Sequence, residues 1–510
     1  MTLSPLQPQS PAERAQPLEL RLPVANKHPL EPNRDELTAM MSSATTFVSD
    51  FIGSLNETQT NDATVPDDML AHLLSPPSEQ PGDFDQLLVT FREAAERAVD
   101  TAGPGCYAYF PGGGLFASAV AELLSATVNR YTGSGAMAPA LVAMEHGVIR
   151  WLAGVFGLPT TAGGLLTTGA STGTLSALLA ARQDVLGGPP NTGTIYVTEH
   201  THHSVAKAAR IAGFSPDQVR VVPTDAELRM DPGAVEEMIA ADRAKGRRPF
   251  LLVGTAGTTS TGTIDPLADL ATIARRHQVW FHVDAAYGGA FQLTERGKAK
   301  LVGIERADSI ALDPHKSLFL PYSTGVLLVR DLRQLAAAQE ADADYLQDLH
   351  LDSRLPNFAD LGTEMSRPFR GLRLWLPLHL YGVEAFRATL DEKLDLAELA
   401  HRELGDIPLF ESLTPDLTVL NFHTSGGDQV NQRLLDTINA GGRVALTSVR
   451  IRDRFMLRMC VLNHRTHRAH LDEAMQIVRQ AGRSVTRGAG HRRAAVQRLR
   501  HRETSALKYS

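Results

Sequence analysis

Short apolar runs and amphipathic helical stretches alternate along the middle of the chain. The strand-like runs lie at 194–197, 250–254, 280–284 and 325–329. Apolar positions spaced by three and four predict helices over 117–129, 139–156 and 173–185. Because these apolar helical stretches precede short, β-rich runs, the alternation predicts an α/β core with a largely parallel sheet.

The flanks of this core have different patterns. Seven prolines between positions 1 and 34 predict an extended or disordered leader, and amphipathic helices follow in the next eighty residues. After the core, a long helix is predicted over 372–402, with strands near 418–422, 443–446 and 455–461 and a last helix over 470–480. The predicted domains are a leader (1–34), an N-terminal helical dimerisation segment (35–116), a large domain (117–375), a small α+β domain (376–484) and a basic tail (485–510).

Composition limits the class of protein. The 510 residues, 43% of them apolar, can bury a large core, and no apolar run is long enough to predict a membrane span. The two cysteines, Cys106 and Cys460, lie too far apart in sequence to predict a disulfide framework or a zinc site, so a cytoplasmic location is expected. The formal charge of −7 argues against nucleic acid as a partner, although the tail itself is basic.

Two strand ends carry the most informative chemistry. Lys316 follows the apolar run 309–312, and Asp284 ends the earlier run 280–284. A lone lysine after a strand is usually solvated, and a lone aspartate there usually caps a turn. Together, a lysine that can form an imine and an acid that can keep a pyridinium nitrogen protonated are what pyridoxal 5'-phosphate chemistry requires.

A phosphate anchor is expected upstream of this pair. Gly169, Ala170 and Ser171 lie among threonines just before a helical run, where free backbone N–H groups and the helix dipole favour an anion. Taken alone, the same cluster is typical of an ordinary helix cap.

The histidine cluster at 200–203 first suggests a metal site. No cysteine or carboxylate lies at ligand spacing beside it, so no metal is predicted. A histidine that follows a strand can instead lie against a flat aromatic cofactor.

These residues stand in an order that resembles the group II pyridoxal-phosphate-dependent amino-acid decarboxylases, the relatives of aromatic-L-amino-acid, glutamate and histidine decarboxylases. The matching motifs are Tyr109-Phe110-Pro111, Gly169-Ala170-Ser171, His202-His203-Ser204, Thr255-Ala256-Gly257, the run 282–287, the run 313–316, Tyr345-Leu346, Phe369-Arg370-Gly371 and Leu457-Arg458. The resemblance spans roughly residues 35–480. It implies a fold-type I enzyme, with a mostly parallel seven-stranded sheet flanked by helices, that acts as a homodimer on a small L-amino acid.

The resemblance also implies roles for individual residues. Lys316 would bond to the cofactor, Asp284 would pair with its ring nitrogen and His202 would stack on the ring. The remaining expected contacts are Ala170 and Ser171 with the phosphate, Thr255 and Ala286 with the cofactor, His315 between phosphate and substrate, and Tyr109, Phe110, Pro111 and Arg458 with the substrate.

Tyr345 resembles the tyrosine of a mobile catalytic loop that delivers the proton completing decarboxylation. Relatives with phenylalanine at that place tend to react with oxygen and release an aldehyde. Tyr345 therefore favours simple decarboxylation to an amine, and a tyrosine that merely packs a short helix is the alternative.

Two departures from the family pattern bear on the site. Many members have asparagine where this chain has Asp313, and an acidic side chain against a phosphate is unfavourable, so Asp313 is not assigned to phosphate binding. Family members with a threonine after Tyr-Phe-Pro use it near the substrate. Here Gly112 follows Pro111, with two more glycines after it, which predicts a pocket edge without side chains.

Three functions remain open from the sequence. The first is decarboxylation of an L-amino acid, with aromatic or bulky apolar substrates slightly favoured by Tyr107, Tyr109 and Phe110. The second is oxidative decarboxylative deamination, or another fold-type I lyase or transferase reaction. The third is an inactive, cofactor-bearing interaction protein that uses its basic tail.

Overall fold

The computed structural model describes residues 30–60, 63–339 and 355–485. Residues 1–29 of the predicted leader, Tyr345 and all but one residue of the basic tail lie outside these described residues. The α-helices are α1 (Arg34–Ser54), α2 (Asp67–Leu73), α3 (Phe84–Glu96), α4 (Phe116–Val128), α5 (Pro139–Val155), α6 (Ala170–Ala181), α7 (Ser204–Ile211), α8 (Pro232–Ala244), α9 (Leu267–His277), α10 (Glu295–Lys300), α11 (Pro314–Ser317), α12 (Leu332–Gln339), α13 (Gly371–Gly405), α14 (Asp428–Ala440) and α15 (468–485). None of the helices in the described ranges is long and apolar enough to cross a bilayer.

Seven strands form the large sheet in the order β1-β7-β6-β5-β4-β2-β3. They are β1 (Gly163–Thr167), β2 (Gly193–Thr198), β3 (Val219–Val222), β4 (Arg248–Thr255), β5 (Trp280–Asp284), β6 (Ser309–Leu312) and β7 (Gly325–Val329). Strand β7 runs antiparallel to both of its neighbours, β1 and β6, whereas the pairs among β6, β5, β4, β2 and β3 are parallel. Every residue of β1, β5, β6 and β7 is buried. Helices that cover both faces explain why these strands are uniformly apolar rather than alternating. The predicted α/β core is confirmed.

A second sheet lies near the carboxyl end of the chain. Its strands are β8 (Phe410–Ser412), β9 (Val419–Thr424), β10 (Thr447–Ile451) and β11 (Arg454–Cys460), all antiparallel, in the order β10-β11-β9-β8. The strand expected at 443–446 is wrong: β10 begins at Thr447, and Ala445 instead forms an isolated parallel bridge with Cys106. The backbone of Ala445 therefore pairs with a distant segment of the chain and not with a neighbouring strand of the second sheet.

Helix α13 is longer than predicted and is interrupted. It begins at Gly371 and ends at Gly405, but Gly382 has a left-handed φ of 74° that breaks the helical geometry. Pro377 lies one turn before this break and cannot donate a backbone hydrogen bond. The boundary expected between residues 375 and 376 lies inside α13.

The contacts divide the described chain into two compact units, one made of 30–53 and 76–93 and the other of 54–75 and 94–485. In the smaller unit, α1 and α3 meet through Phe47 and Phe91, whose ring centres are 5.6 Å apart, and Arg92 lies 5.0 Å from the Phe47 ring centre. No residue of α1 is buried, although Leu37, Met40 and Met41 are apolar. An exposed apolar helix of this kind is typical of a surface that another chain covers.

Candidate active site

The carboxyl ends of β4, β5 and β6 lie side by side and carry the first group of site residues. In the sheet register, Thr255 is opposite Asp284, and Asp284 is opposite Ala311. The backbone N–H of Ala286 donates to Asp284 Oδ1 at 3.1 Å, which fixes the carboxylate at the strand end. Parallel strands open their carboxyl ends to ligands, so this edge is the expected place for a binding site.

The turn after β6 presents Lys316 at the same edge. Pro314 takes the first position of α11, where its missing N–H costs no hydrogen bond, and Lys316 lies on that short helix. Lys316 Nζ is 2.9 Å from Asp313 Oδ2 and 5.2 Å from the ring centre of Phe110. His315 turns away from this contact and donates from Nδ1 to the carbonyl oxygen of Thr324 at 2.8 Å.

The amino terminus of α6 faces this turn, and it supplies the anion site expected at Ala170 and Ser171. Ala170 is buried and Ser171 is exposed. The backbone N–H of Ala170 donates to Asp313 Oδ1 at 2.6 Å. The sequence analysis did not assign Asp313 to phosphate binding, and that stays a prediction. Its carboxylate lies at the start of α6, where pairing with Lys316 offsets its charge and the helix N-terminus favours an anion.

His202 lies near the same pair of charges. Burial, together with the neighbouring His203 and Lys316, lowers the pKa of His202 to about 4 against the opposing effect of Asp313. Ser204 fixes the ring, because its Oγ lies 2.8 Å from His202 Nδ1. The ring is therefore neutral around pH 7, which suits stacking on a flat cofactor more than acid catalysis.

Arg458, on β11, reaches the site from the small domain. Its Nη1 donates to the Tyr109 carbonyl oxygen at 2.7 Å and its Nε to that of Thr259 at 2.9 Å, while Phe110 lies under the guanidinium at 4.6 Å. Arg458 Nη2 is buried and has no hydrogen-bond partner among the described residues. A buried donor of this kind is costly unless an anionic ligand satisfies it.

The aromatic residues before Pro111 do not form one wall. Phe110 stacks on the buried Tyr287 ring at 4.5 Å, whereas Tyr109 has a left-handed φ of 53° and is 67% exposed. Tyr107 is fully buried in the core of the small domain. The expectation that Tyr107 helps to line a substrate pocket is therefore wrong, because its side chain packs among the strands and helices of that core.

Gly112 and Gly113 are required by close packing rather than by an open pocket edge. A Cβ on Gly112 would run into the His315 carbonyl oxygen and lie 2.9 Å from that of Lys316. Gly113 has a φ of 82°, and a Cβ there would lie 2.6 Å from His464 Nδ1. Only Gly114 has open space around it. The interpretation of these glycines as a widened pocket edge is thus corrected at the first two positions.

Several residues that shape the site had no signal in the sequence. Asn463 Nδ2 donates to the carbonyl oxygens of Gly103 and Ala102 at 2.8 and 3.1 Å, and Arg465 binds the Gly113 carbonyl oxygen. Asp265 is buried and accepts the backbone N–H of Thr255 at 2.8 Å. Asn463 and Arg465 thus hold the loop 102–113, and Asp265 holds the end of β4. Their polar partners are backbone groups, which a sequence motif does not mark.

Buried histidines near the site make stability depend on pH. Burial lowers the pKa of His202, His282 and His464 to about 4, whereas it raises the pKa of Asp265 to about 6. Between about pH 4 and 6.5 the unfolded chain binds more protons at the histidines, so the free energy of unfolding falls as the pH falls. Asp265 works in the opposite direction between about pH 3.8 and 6, because there the folded chain holds its proton.

His464→Asn separates one of these groups, because asparagine can still donate to the Gly112 carbonyl oxygen that His464 Nδ1 contacts at 3.1 Å. We expect the variant's free energy of unfolding to fall less steeply below about pH 6.5, by up to roughly 1.4 kcal/mol per pH unit. Urea unfolding of both proteins at a series of pH values measures this. If the free energies of unfolding of the two proteins changed in parallel with pH, His464 would bind protons equally in the folded and unfolded states.

The site fits pyridoxal 5'-phosphate. Thr255 Oγ1 and Arg458 Nη2 are buried donors without partners among the described residues, and Asp284 stands at the neighbouring strand end. Gly169 leaves room at the start of α6, since a Cβ there would find its nearest neighbours at 3.6 and 3.7 Å. The donor set thus matches a ligand with a phosphate, a ring nitrogen and an aldehyde that a lysine can reach.

Comparisons with known proteins extend this picture. Residues 66–420 match the family model described as the pyridoxal-dependent decarboxylase conserved domain. An aromatic-L-amino-acid decarboxylase of Bacillus atrophaeus is 30% identical over 470 residues, covering 90% of this chain and 98% of that protein. A phenylacetaldehyde synthase of Arabidopsis thaliana is 29% identical over 433 residues, covering 80% and 88% respectively. The crystal structure of Oryza sativa TDC with PLP and tryptamine has a TM-score of 0.85 at 27% identity, covering 90% of this chain and 99% of that one. The similarity therefore extends over both sheets.

Proposed function

Because the chain belongs to the pyridoxal-dependent decarboxylase family, we propose that it removes CO2 from an aromatic L-amino acid and releases the corresponding amine. The family, the fold-type I architecture, the cofactor and the carboxy-lyase class expected from the sequence are confirmed. The aromatic substrate and the roles of individual residues are our proposal.

Bound pyridoxal 5'-phosphate supplies an electron sink for the bond broken at the substrate's α-carbon. Asp284 would keep a proton on the ring nitrogen, because a carboxylate at hydrogen-bond distance favours the charged form of that nitrogen. The N–H groups at Ala170 and Ser171 would hold the phosphate, and Thr255 and Ala286 would contact the cofactor. His202 would stack on the ring as a neutral imidazole, and His315 would stand between the phosphate and the substrate.

Arg458 and Phe110 select and orient the substrate. Arg458 Nη2, which has no partner among the described residues, would donate to the substrate carboxylate, since Nη1 and Nε already donate to backbone carbonyl oxygens. Phe110 presents an aromatic face beside the Arg458 guanidinium, and Tyr109 and Pro111 would contact the same side of the substrate. Orienting the carboxylate rather than the α-hydrogen decides which bond breaks.

The observation that carries this proposal is the buried Arg458 guanidinium over the Phe110 ring, whose Nη2 has no hydrogen-bond partner among the described residues. The test is an assay of CO2 and amine from L-tryptophan, L-tyrosine, L-phenylalanine and L-glutamate. We expect kcat/KM to be higher for an aromatic substrate than for glutamate by at least about 10²-fold, as an apolar pocket leaves a second carboxylate unpaired. A preference for glutamate would contradict the aromatic assignment, and no turnover of any amino acid would favour the inactive interaction protein.

Aldehyde formation is the second candidate, and the similarity to a phenylacetaldehyde synthase is the observation that favours it. Tyr345, which lies outside the described residues, distinguishes the two products. We expect Tyr345→Phe to lower amine output by about 10²-fold, the usual contribution of one general acid, and to raise aldehyde, peroxide and ammonia. Product ratios measured by chromatography check this. Unchanged ratios would show that Tyr345 is not the proton donor.

We also propose that the chain acts as a homodimer through its N-terminal helical segment, 35–116. Leu37, Met40 and Met41 on α1 are each 40–50% exposed, as are Phe116 and Leu123 on α4. Exposed apolar side chains in this number are typical of an interface.

The dimer is tested by light scattering of the whole protein, which we expect to give twice the chain mass of 55.2 kDa. The double variant Met40→Asp, Met41→Asp should shift the population to monomer, whereas Thr38→Asp on the same helix should not. A wild-type monomer with full activity would contradict the proposal.

A cytoplasmic location is proposed on the chemistry of Cys106 and Cys460. Both are buried free thiols, which suits a reducing compartment. The acidic balance of the chain supports a small-molecule substrate rather than a nucleic-acid partner.

A further inference from the structure

The carboxylate of Asp313 lies at the amino terminus of α6, where the cofactor's phosphate would bind. The residue is only 5% exposed. One oxygen, Oδ1, accepts the N–H of Ala170 at 2.6 Å, and the other, Oδ2, lies 2.9 Å from Lys316 Nζ. One buried side chain thus joins the first N–H of α6 to the reactive lysine.

Both contacts are ones that pyridoxal 5'-phosphate must take over. The N–H groups at the start of α6, a helix of 12 residues, are the anion site of this edge. A single N–H at Ala170 cannot serve a carboxylate and a phosphate equally well. Lys316 likewise needs an unpaired, uncharged amine to form its bond to the cofactor aldehyde, with water leaving and the ammonium proton passing to solvent.

Cofactor binding would also weaken the positive charge that stabilises the buried Asp313 carboxylate. Bonding of Lys316 to the cofactor would replace the ammonium, now 2.9 Å away, by an imine nitrogen whose positive charge, where it is protonated, is shared with the cofactor ring. His315 Nδ1 lies 3.7 Å from Oδ1, but burial lowers the pKa of this ring, so it supplies no fixed charge near pH 7. The phosphate would then stand beside an anion with reduced compensation.

We propose that Asp313 is an internal loading latch: a carboxylate that holds the phosphate site and Lys316 together in the cofactor-free enzyme and opposes cofactor binding. The latch stabilises the apoprotein and lowers the affinity for the cofactor, so the fraction of enzyme in the active form follows the cofactor concentration. The proposal goes beyond decarboxylation, and its test uses binding rather than turnover.

The experiment compares wild type with Asp313→Asn, which keeps an oxygen for the Ala170 N–H and removes the charge. Apoprotein is titrated with 4'-deoxypyridoxine 5'-phosphate, which has the phosphate but no aldehyde, and the dissociation constant is read from protein fluorescence. We expect the variant to bind this analogue about tenfold more tightly or better, since even screened charges a few ångströms apart interact by more than 1 kcal/mol. Its apoprotein should melt at a lower temperature than wild-type apoprotein. Equal or weaker binding would overturn the proposal.

Further measurements separate the contact of Asp313 with the Ala170 N–H from its contact with Lys316. Asp269→Asn removes a charge from the exposed face of α9 and should leave the dissociation constant unchanged. Inorganic phosphate should raise the melting temperature of Asp313→Asn apoprotein but not that of wild type. Pyridoxal, which has the aldehyde without the phosphate, should also bind the variant more tightly, because Lys316 is released.

A measurement on wild type keeps the proposal falsifiable if the variant does not fold. The phosphate group should add less than about tenfold to affinity when deoxypyridoxine and its 5'-phosphate are compared on wild-type apoprotein, because its binding displaces a carboxylate. A gain of about 100-fold or more, equivalent to about 2.7 kcal/mol, would show that no internal anion competes for the site.

Discussion

Lys316→Ala is expected to abolish the cofactor's absorbance band near the short-wavelength edge of the visible spectrum. It should also lower kcat by at least about 10³-fold, because the lysine proposed to bond to the cofactor is lost. Lys316 is the lysine of the α11 turn, at the carboxyl edge where Asp284 also stands. Absorbance spectra before and after borohydride reduction, with an assay of CO2 release, measure both effects.

The exposed Lys245→Ala, at the end of α8, is the matched control and should keep the chromophore and the activity of wild type. A Lys316→Ala protein that still forms a borohydride-sensitive bond to the cofactor would show that another lysine fulfils the role. Circular dichroism of the variant should match wild type, which separates lost chemistry from lost folding.

Arg458→Gln is expected to lower kcat/KM by about 10²-fold or more, on the order of 3 kcal/mol, because a buried charge-assisted contact to the substrate carboxylate is removed. The side chain is 4% exposed, and two of its three nitrogens already bind backbone carbonyl oxygens. Steady-state kinetics with the preferred amino acid measure the change.

Affinity for a substrate analogue without a carboxylate distinguishes a binding role from a structural one. The corresponding amine should inhibit Arg458→Gln and wild type equally, since it lacks the group that Nη2 binds. Arg454→Gln, an exposed position on the same strand β11, should leave kcat/KM unchanged. If the amine also bound more weakly to Arg458→Gln, the fall in kcat/KM would instead reflect a displaced Phe110 ring.

The large sheet could be predicted because its strands are buried on both faces. The runs at 280–284 and 325–329 coincide with β5 and β7, since uninterrupted apolar residues between turns have few other places in a fold. The strand expected at 443–446 failed for the opposite reason. There Ala445 pairs with Cys106, more than 300 positions away, and the residues around Ala445 do not indicate this pairing.

The site was predictable as far as it follows strand ends. Asp284 and Lys316 were identified because each ends or follows a buried run, and parallel strands bring such ends together. Asp313 was left out of the predicted phosphate site because of its charge. Its contact with Lys316, three residues later and within reach on one helical turn, was not foreseen. Asn463 could not be found at all, since its amide binds backbone oxygens of residues about 360 positions earlier.

The packing of Gly112 limits how the substrate range of this enzyme can be engineered. Its backbone lies directly against the carbonyl oxygens of His315 and Lys316, so any side chain added there displaces the reactive lysine before it narrows the pocket. Gly113 is similarly closed by His464. Gly114 has open space around it, but its φ of 64° disfavours any side chain. Libraries that aim at new substrates should therefore vary Phe110 and leave all three glycines fixed.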